Sequence, residues 1–309
     1  MAERASHHAP LLEAVPNVSE GRRGAVVAAL AAAVEGHRGA RLLQVSADAD
    51  HHRTVLTLAG SPEGLHRALL ALYACAAERL DLRRHQGVHP RLGAVDVVPF
   101  VPLSDCGMAT AVAAARRLGE AVAARHALPV YLYAEAAAAP ARRRLADLRR
   151  GGLAGIAARL ADPAWRPDFG PTALHPRLGA TAIGARGVLI AVNAQLATAD
   201  VAIARAIARA VRASSGGLAA VQALGLYLES RGCAQVSMNL LDYRRTSLEE
   251  LIRRVAAEAA SRGTAVASVE IVGMLPAAAL PDRRAELPPF ERLDSSMVLE
   301  EVLGEGSPG

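Results

Sequence analysis

Short extended apolar runs and longer helical stripes follow one another in a regular order along the first hundred residues. Residues 11–17 form a brief apolar run, and Ser19 with Glu20 leads into a helical stripe over 24–34. Two aliphatic and β-branched runs, 41–46 and 54–59, lie on either side of a polar turn at 47–52. Pro62 stands where a first-turn proline belongs and opens a helix that reaches about residue 80. Residues 94–101 read as the next strand, so the order is βαββαβ, that of a ferredoxin-like unit. A further helix (109–126), a strand (129–133) and an Arg-rich helical stretch (139–160) follow.

The same order returns in the second half. A strand at 187–194, a helix at 200–212 and strands at 221–228 and 235–240 precede a helix at 246–261, which starts on a capping box of Ser247 and Glu250. A strand at 266–272 closes the unit. Between the halves, residues 162–186 hold Pro163, Pro167, Pro171, Pro176, Gly170, Gly179 and Gly184, a density of turn formers that predicts irregular loop and no further helix or strand. The expected fold is α+β, two ferredoxin-like subdomains over residues 1–184 and 185–309 packed around a central ligand cleft.

Composition narrows the function classes. At 52% hydrophobic and 21% charged, the 309-residue chain is an ordinary globular sequence. It has no uncharged apolar run long enough for a membrane span and no secretory signal in residues 1–10, so the cytoplasm is expected and no membrane partner. All 35 basic residues are arginine. Without lysine, Schiff-base chemistry, pyridoxal phosphate attachment and a P-loop site are excluded. The net charge of +5 suits nucleic acid, but 3% aromatic content leaves few stacking platforms, so no nucleic-acid partner is expected.

The candidate chemistry centres on a repeated hexapeptide, His-Pro-Arg-Leu-Gly-Ala, at residues 89–94 and 175–180. Each copy sets an arginine two residues after a titratable imidazole. Other polar residues gather at strand ends: 17–21, 48–53 and 85–96 in the first half, and Asn193, Gln235, Ser237 and Asn239 in the second. Gln235, Ser237 and Asn239 alternate along one strand and share a face, either facing solvent or paired. Cys75, Cys106 and Cys233 have no metal or disulfide spacing, and no zinc motif supports the histidines of the 48–52 turn, so no metal is expected. General acid–base work by histidine, aided by Asp and Arg, is the chemistry that remains.

Several longer segments carry a family resemblance. Residues 15–22 (VPNVSEGR), 48–55 (DADHHRTV), 84–91 (RHQGVHPR), 167–171 (PDFGP), 235–240 (QVSMNL) and 293–300 (LDSSMVLE) resemble the glutamate formimidoyltransferase family, in collinear order over roughly residues 9–303. The resemblance implies a homodimer that moves the formimidoyl group of N-formimidoyl-L-glutamate to N5 of tetrahydrofolate, a step of histidine degradation, with tetrahydrofolate as co-substrate. It places the catalytic histidine on His89 and the folate-binding loop on Gly170, Pro171, Thr172, Ala173, Leu174, His175, Pro176, Arg177, Leu178 and Gly179. Asn17, Asp50, Arg53, Arg91, Asp96, Arg186 and Asn239 are the remaining candidates: carboxylates for a cationic amidine, and arginines for the carboxylates of donor and folate. The chain departs from many members at Val88, Gln44 and Ser46, where acidic residues are usual. This keeps open a related transferase with another formimidoyl amino-acid donor, or a non-catalytic folate- or amino-acid-binding regulator.

Overall fold

Pro16 breaks the first apolar run, since a residue without an N–H cannot complete a strand ladder. The run becomes β1 (Leu12–Ala14) and β2 (Asn17–Val18). The computed structural model describes residues 10–87, 90–104 and 106–304. Contacts divide the chain into two α+β units, Met1–Arg186 and Gly187–Gly309, each with its own sheet.

In the first unit α1 (Gly24–Val34), β3 (Ala40–Asp48), β4 (Arg53–Gly60), α2 (Pro62–Arg79) and β5 (Val95–Pro102) follow β2. Next come α3 (Met108–His126), β6 (Val130–Ala134), α4 (Leu145–Leu148), α5 (Gly152–Arg159) and β7 (Thr181–Ala185). Ser61 caps α2 by accepting from the Gly64 N–H at 3.1 Å, with Pro62 in the first turn, the start that the sequence announces. The seven-stranded sheet runs β3, β4, then β1 and β2 end to end, then β5, β7 and β6, with β5, β7 and β6 parallel. Alternation puts Leu12, Ala14, Leu56, Leu58, Val98 and Phe100 into the core with α1, α2 and α3. Glu13, Asn17, Arg53, Thr57, Val97, Tyr131 and Tyr133 therefore take the opposite face. There Val97, Tyr131 and Tyr133 pack with Leu148 and Ile156 of α4 and α5.

Two expectations need correction. The helical stretch at 139–160 is broken: a short turn at Pro140–Arg142, α4 and α5 are separate pieces. Gly151 and Gly152, at φ +76° and +59°, reverse the chain between α4 and α5 in a conformation that side chains resist. Residues 162–186 are not all loop, since they contain β7. The turn-former density misleads there because Gly184 serves packing: a Cβ on it would stand 2.5 Å from the Tyr133 ring.

The second unit holds β8 (Ile190–Leu196), α6 (Val201–Val211), β9 (Val221–Leu228), β10 (Cys233–Leu240), α7 (Leu248–Ala260) and β11 (Val266–Val272). Its sheet runs β12 (Phe290–Arg292), β11, β8, β10, β9. A last helix, α8 (Leu299–Gly304), ends the described chain. Alternate residues of β8, β9, β10 and β11 form a core with α6 and α7. β12 gives no periodic signal, being three residues long with two of them charged.

Candidate active site

The polar segments of the first unit meet where β2, β4 and β5 begin or end. Glu20, 1% exposed, gathers the β2–α1 turn: one carboxylate oxygen accepts the N–H groups of Gly21, Arg22 and Arg23 at 2.9–3.1 Å, and the other accepts Arg23 Nε at 2.6 Å. Burial pushes this carboxyl up, but the N–H donors and the Arg23 guanidinium outweigh it and hold the pKa below the usual carboxylate range. The Thr54 hydroxyl donates to the Glu20 carbonyl and Arg22 Nε to the Ala49 carbonyl, which fixes the β3–β4 turn against this loop. Asp50 lies in that turn, and Asp48 accepts the His51 N–H at 2.7 Å.

His52, at φ +48°, faces two acceptors, the Gln86 carbonyl at 2.6 Å and Glu20 Oε1 at 3.2 Å. A neutral ring donates to one of these, an imidazolium to both. The His85 ring stacks on it with centroids 4.0 Å apart. Arg91 reaches His85 Nε2 at 2.8 Å and donates to the Gly87 carbonyl at 2.9 Å. His89 and Val88 lie outside the described residues.

Asp96 is the anionic hub beside this stack. It is 1% exposed, accepts the Leu92 N–H at 2.5 Å and pairs with Arg149. Arg53 and Arg91 also feel its charge. Burial, reinforced by the neighbouring Arg149, pulls Arg53 down to about 10. Arg149, Arg53 and Arg91 thus have the charge of Asp96 in common, and Asp48 adds its own at Arg53. Asn17 stands on the same sheet face and donates to the Val15 carbonyl at 2.9 Å.

The Leu-Gly-Ala ends of the two hexapeptides lie side by side. Gly93 bridges Gly179 in antiparallel fashion, the Ala94 N–H donates to the Leu178 carbonyl and the Ala180 N–H to the Leu92 carbonyl, both at 2.9 Å. Each copy therefore offers its Leu-Gly-Ala to the other, and a Cβ on either glycine would run into the opposite carbonyl. His175 is built into its loop: its Nδ1 accepts the N–H groups of Arg177 and Leu178 at 3.2 and 3.0 Å. Burial and the nearby Arg177 charge lower its pKa, keeping that nitrogen an acceptor. The Arg177 guanidinium ties the loop to the end of α2 through the Ala77 and Leu80 carbonyls, while residues 170–173 are exposed.

Other candidates lie apart from this cluster. Arg186 donates its N–H to the Phe100 carbonyl and bonds the Tyr133 hydroxyl, toward the far end of β5. Glu13 occupies that end too, 7% exposed, and its burial raises the carboxyl to about 7 against the opposing pull of Arg186. Asn239 belongs to the second unit, on β10 across from Ala191 and Gln222. Its row is mixed: Gln235 is fully buried with neither amide atom hydrogen-bonded, whereas Ser237 and Asn239 are half-buried. Sequence reasoning missed Arg149 and Glu13; for Arg149 the clue is its place in the Arg-rich stretch, and for Glu13 an acid inside an apolar run. Among the described residues, no group of three or more His, Cys, Asp or Glu is placed to hold a metal ion, and no helix is long and apolar enough to cross a membrane.

The family model of the formiminotransferase domain, N-terminal subdomain, matches residues 11–186, and that of the formiminotransferase domain matches residues 191–287. A glutamate formimidoyltransferase of Streptococcus pyogenes serotype M1 is 38% identical over 274 residues, 89% of this chain and 92% of its own length. One from Thermoplasma acidophilum is 39% identical over 293 residues, 94% and 96% of the two chains. The formimidoyltransferase-cyclodeaminase of Gallus gallus is 40% identical over 280 residues, which span 52% of that longer protein.

Proposed function

The chain belongs to the formiminotransferase family, and we propose that it transfers the formimidoyl group of N-formimidoyl-L-glutamate to N5 of tetrahydrofolate, releasing L-glutamate. The observation that carries this reading is the likeness to the Thermoplasma glutamate formimidoyltransferase over 96% of that enzyme's length. We read both units as ferredoxin-like, on the strand order β11, β8, β10, β9 in the second and β5, β1 with β2, β4, β3 in the first. A homodimer acting in histidine degradation completes the reading that the family resemblance implies, in the cytoplasm that the composition leads one to expect.

The residues suit that chemistry. Tetrahydrofolate supplies the nucleophilic nitrogen and a tail bearing carboxylates. His89 takes the proton that N5 loses on attacking the formimidoyl carbon and returns it to the glutamate nitrogen as the C–N bond breaks. Arg53 and Arg91, with Arg149 beside them, hold the carboxylates through bidentate hydrogen bonds. Asp50 favours the cationic amidine, Asp96, first read in that role, instead holds the arginines in place, and Asn17 and Asn239 offer uncharged hydrogen bonds. The 170–179 loop holds folate, with His175 fixing its shape, and Arg186 meets a more distant carboxylate. The clasp between the hexapeptides ties this loop to the segment that carries His89.

The test combines this chain, tetrahydrofolate and N-formimidoyl-L-glutamate, following 5-formimidoyltetrahydrofolate by absorbance. Turnover is expected, with His89→Ala abolishing it while folate binding persists. No turnover by the unmodified protein refutes the function. An active His89→Ala beside a dead His175→Ala, with both proteins folded, reverses the two roles.

A further inference from the structure

His52 takes a φ of +48°, in the left-handed region where a side chain is strained unless its surroundings hold it. Here they do, because its ring joins two segments of the first unit. The side chain is 12% exposed. Ring Nδ1 faces the Gln86 carbonyl at 2.6 Å, and Nε2 faces Glu20 Oε1 at 3.2 Å. In return the His52 carbonyl meets His85 Nε2 at 2.9 Å, and the two rings stack. Gly87 closes the contact: a Cβ there would stand 2.7 Å from the His51 carbonyl oxygen and 2.9 Å from the His52 Cβ. Residues 85–87 are thus packed against the β3–β4 turn with no room between them. Arg91 braces the same segment at His85 Nε2 and at the Gly87 carbonyl.

We infer that His52 is a positioning residue: it pins the Gln86 carbonyl and so fixes the point from which the chain runs on to Val88 and His89. This rests on the reading of His89 as the acid–base group and adds what holds the segment that bears it. The two ring contacts divide the task. Glu20 is itself held by the β2–α1 turn, since it accepts the N–H groups of Gly21, Arg22 and Arg23. It gives the ring a fixed side, and the ring passes that position to Gln86. Proton transfer needs the acid–base atom within hydrogen-bond reach of the reacting nitrogen, so a displacement of about 1 Å in the segment costs up to about a hundredfold in rate. Both ring nitrogens of His52 are engaged by Gln86 and Glu20, so its loss falls on kcat and spares KM.

The experiment compares the unmodified chain with His52→Asn and His52→Ala. Asparagine accepts positive φ, and its Nδ2 takes the place of the ring Nδ1, so the bond to Gln86 is kept. Ala127, Ala134 and Ala220 already take positive φ in this chain, so His52→Ala is expected to fold while losing that bond. With tetrahydrofolate and N-formimidoyl-L-glutamate, His52→Ala should lower kcat roughly tenfold or more and leave both KM values within about threefold. His52→Asn should recover kcat to within about threefold of the unmodified chain. Hydrogen exchange of residues 84–87, read by mass spectrometry, should be about tenfold faster in His52→Ala and near normal in His52→Asn. An unaltered kcat in His52→Ala, an equal loss in both variants, or unaltered exchange overturns the proposal. His52→Gly, which suits the φ of +48°, replaces the alanine variant should that one fail to fold. If the unmodified chain turns nothing over, the transferase reading falls, and exchange alone decides whether His52 holds the segment.

Discussion

Replacing Asp96 by Asn tests whether one carboxylate balances the cationic cluster. The substitution keeps an oxygen that accepts the Leu92 N–H and removes the charge that faces Arg149, Arg53 and Arg91. With Asp96 1% exposed and the Arg149 side chain 13% exposed, solvent screens little of the loss. Breaking such a buried pair from one side costs about 3–4 kcal/mol. Arg149→Met leaves Asp96 near two other guanidiniums and costs less, about 2 kcal/mol. In the double variant the second change removes a cation that no longer has its partner, so the total stays near 3 kcal/mol and the coupling energy is about 2–3 kcal/mol. For a unit of this size, Asp96→Asn should lower Tm by roughly 6–16 °C. Trp165, the chain's single tryptophan, packs in the first unit with the Arg159 guanidinium 4.2 Å over its ring, so its fluorescence reports urea unfolding of that unit. Single-variant losses that add to within about 0.5 kcal/mol in the double variant would refute the shared-counterion account.

Two further outcomes follow from the same unit. Glu13 has a folded-state pKa of about 7 against an ordinary 4.5, so its stabilising contribution is full below about 4.5 and is lost as pH rises through 7. Glu13→Gln should flatten stability between those pH values and gain up to roughly 3 kcal/mol at pH 8 relative to the unmodified chain; urea titrations at pH 4.5, 6 and 8 that stay parallel would exclude it. Gly93→Ala forces a methyl into the Ala180 carbonyl and should cost about 3 kcal/mol or more by opening the hexapeptide clasp, measured by thermal unfolding, whereas a native Tm would mean that the bridge is dispensable.

Local pattern made much of the architecture readable. Ser61 and Pro62 announce α2, Asp200 caps α6 and Ser247 caps α7, each through its own side chain. β9 and β11 occupy the residues that apolar periodicity picks out. Failures occurred where one residue type serves two purposes. Gly151 and Gly152 break a helix, whereas Gly184 lies within a buried parallel strand that reads like a turn. The candidate site was legible as residue types: Arg53, Arg91 and Asp96 stand out in polar segments, and they do come together. Arg149 was hidden among other arginines of its stretch, because only its approach to Asp96 sets it apart.

The repeated hexapeptide shows the division most clearly. Its presence, its histidines and its glycines are properties of the chain, as are the helical and extended periods and the absence of lysine. That the copies pair, Gly93 against Gly179, required partners 86 residues apart to be brought together by the strands between them. The same holds for Glu13 raised to about 7, Asp96 shared among three arginines and Gln235 fully buried with its amide unmatched. Local backbone preferences and side-chain periods act over a few residues and can be read in order along the sequence. Burial, charge pairing and hydrogen-bond satisfaction depend on neighbours distant in sequence, and only the folded chain supplies them.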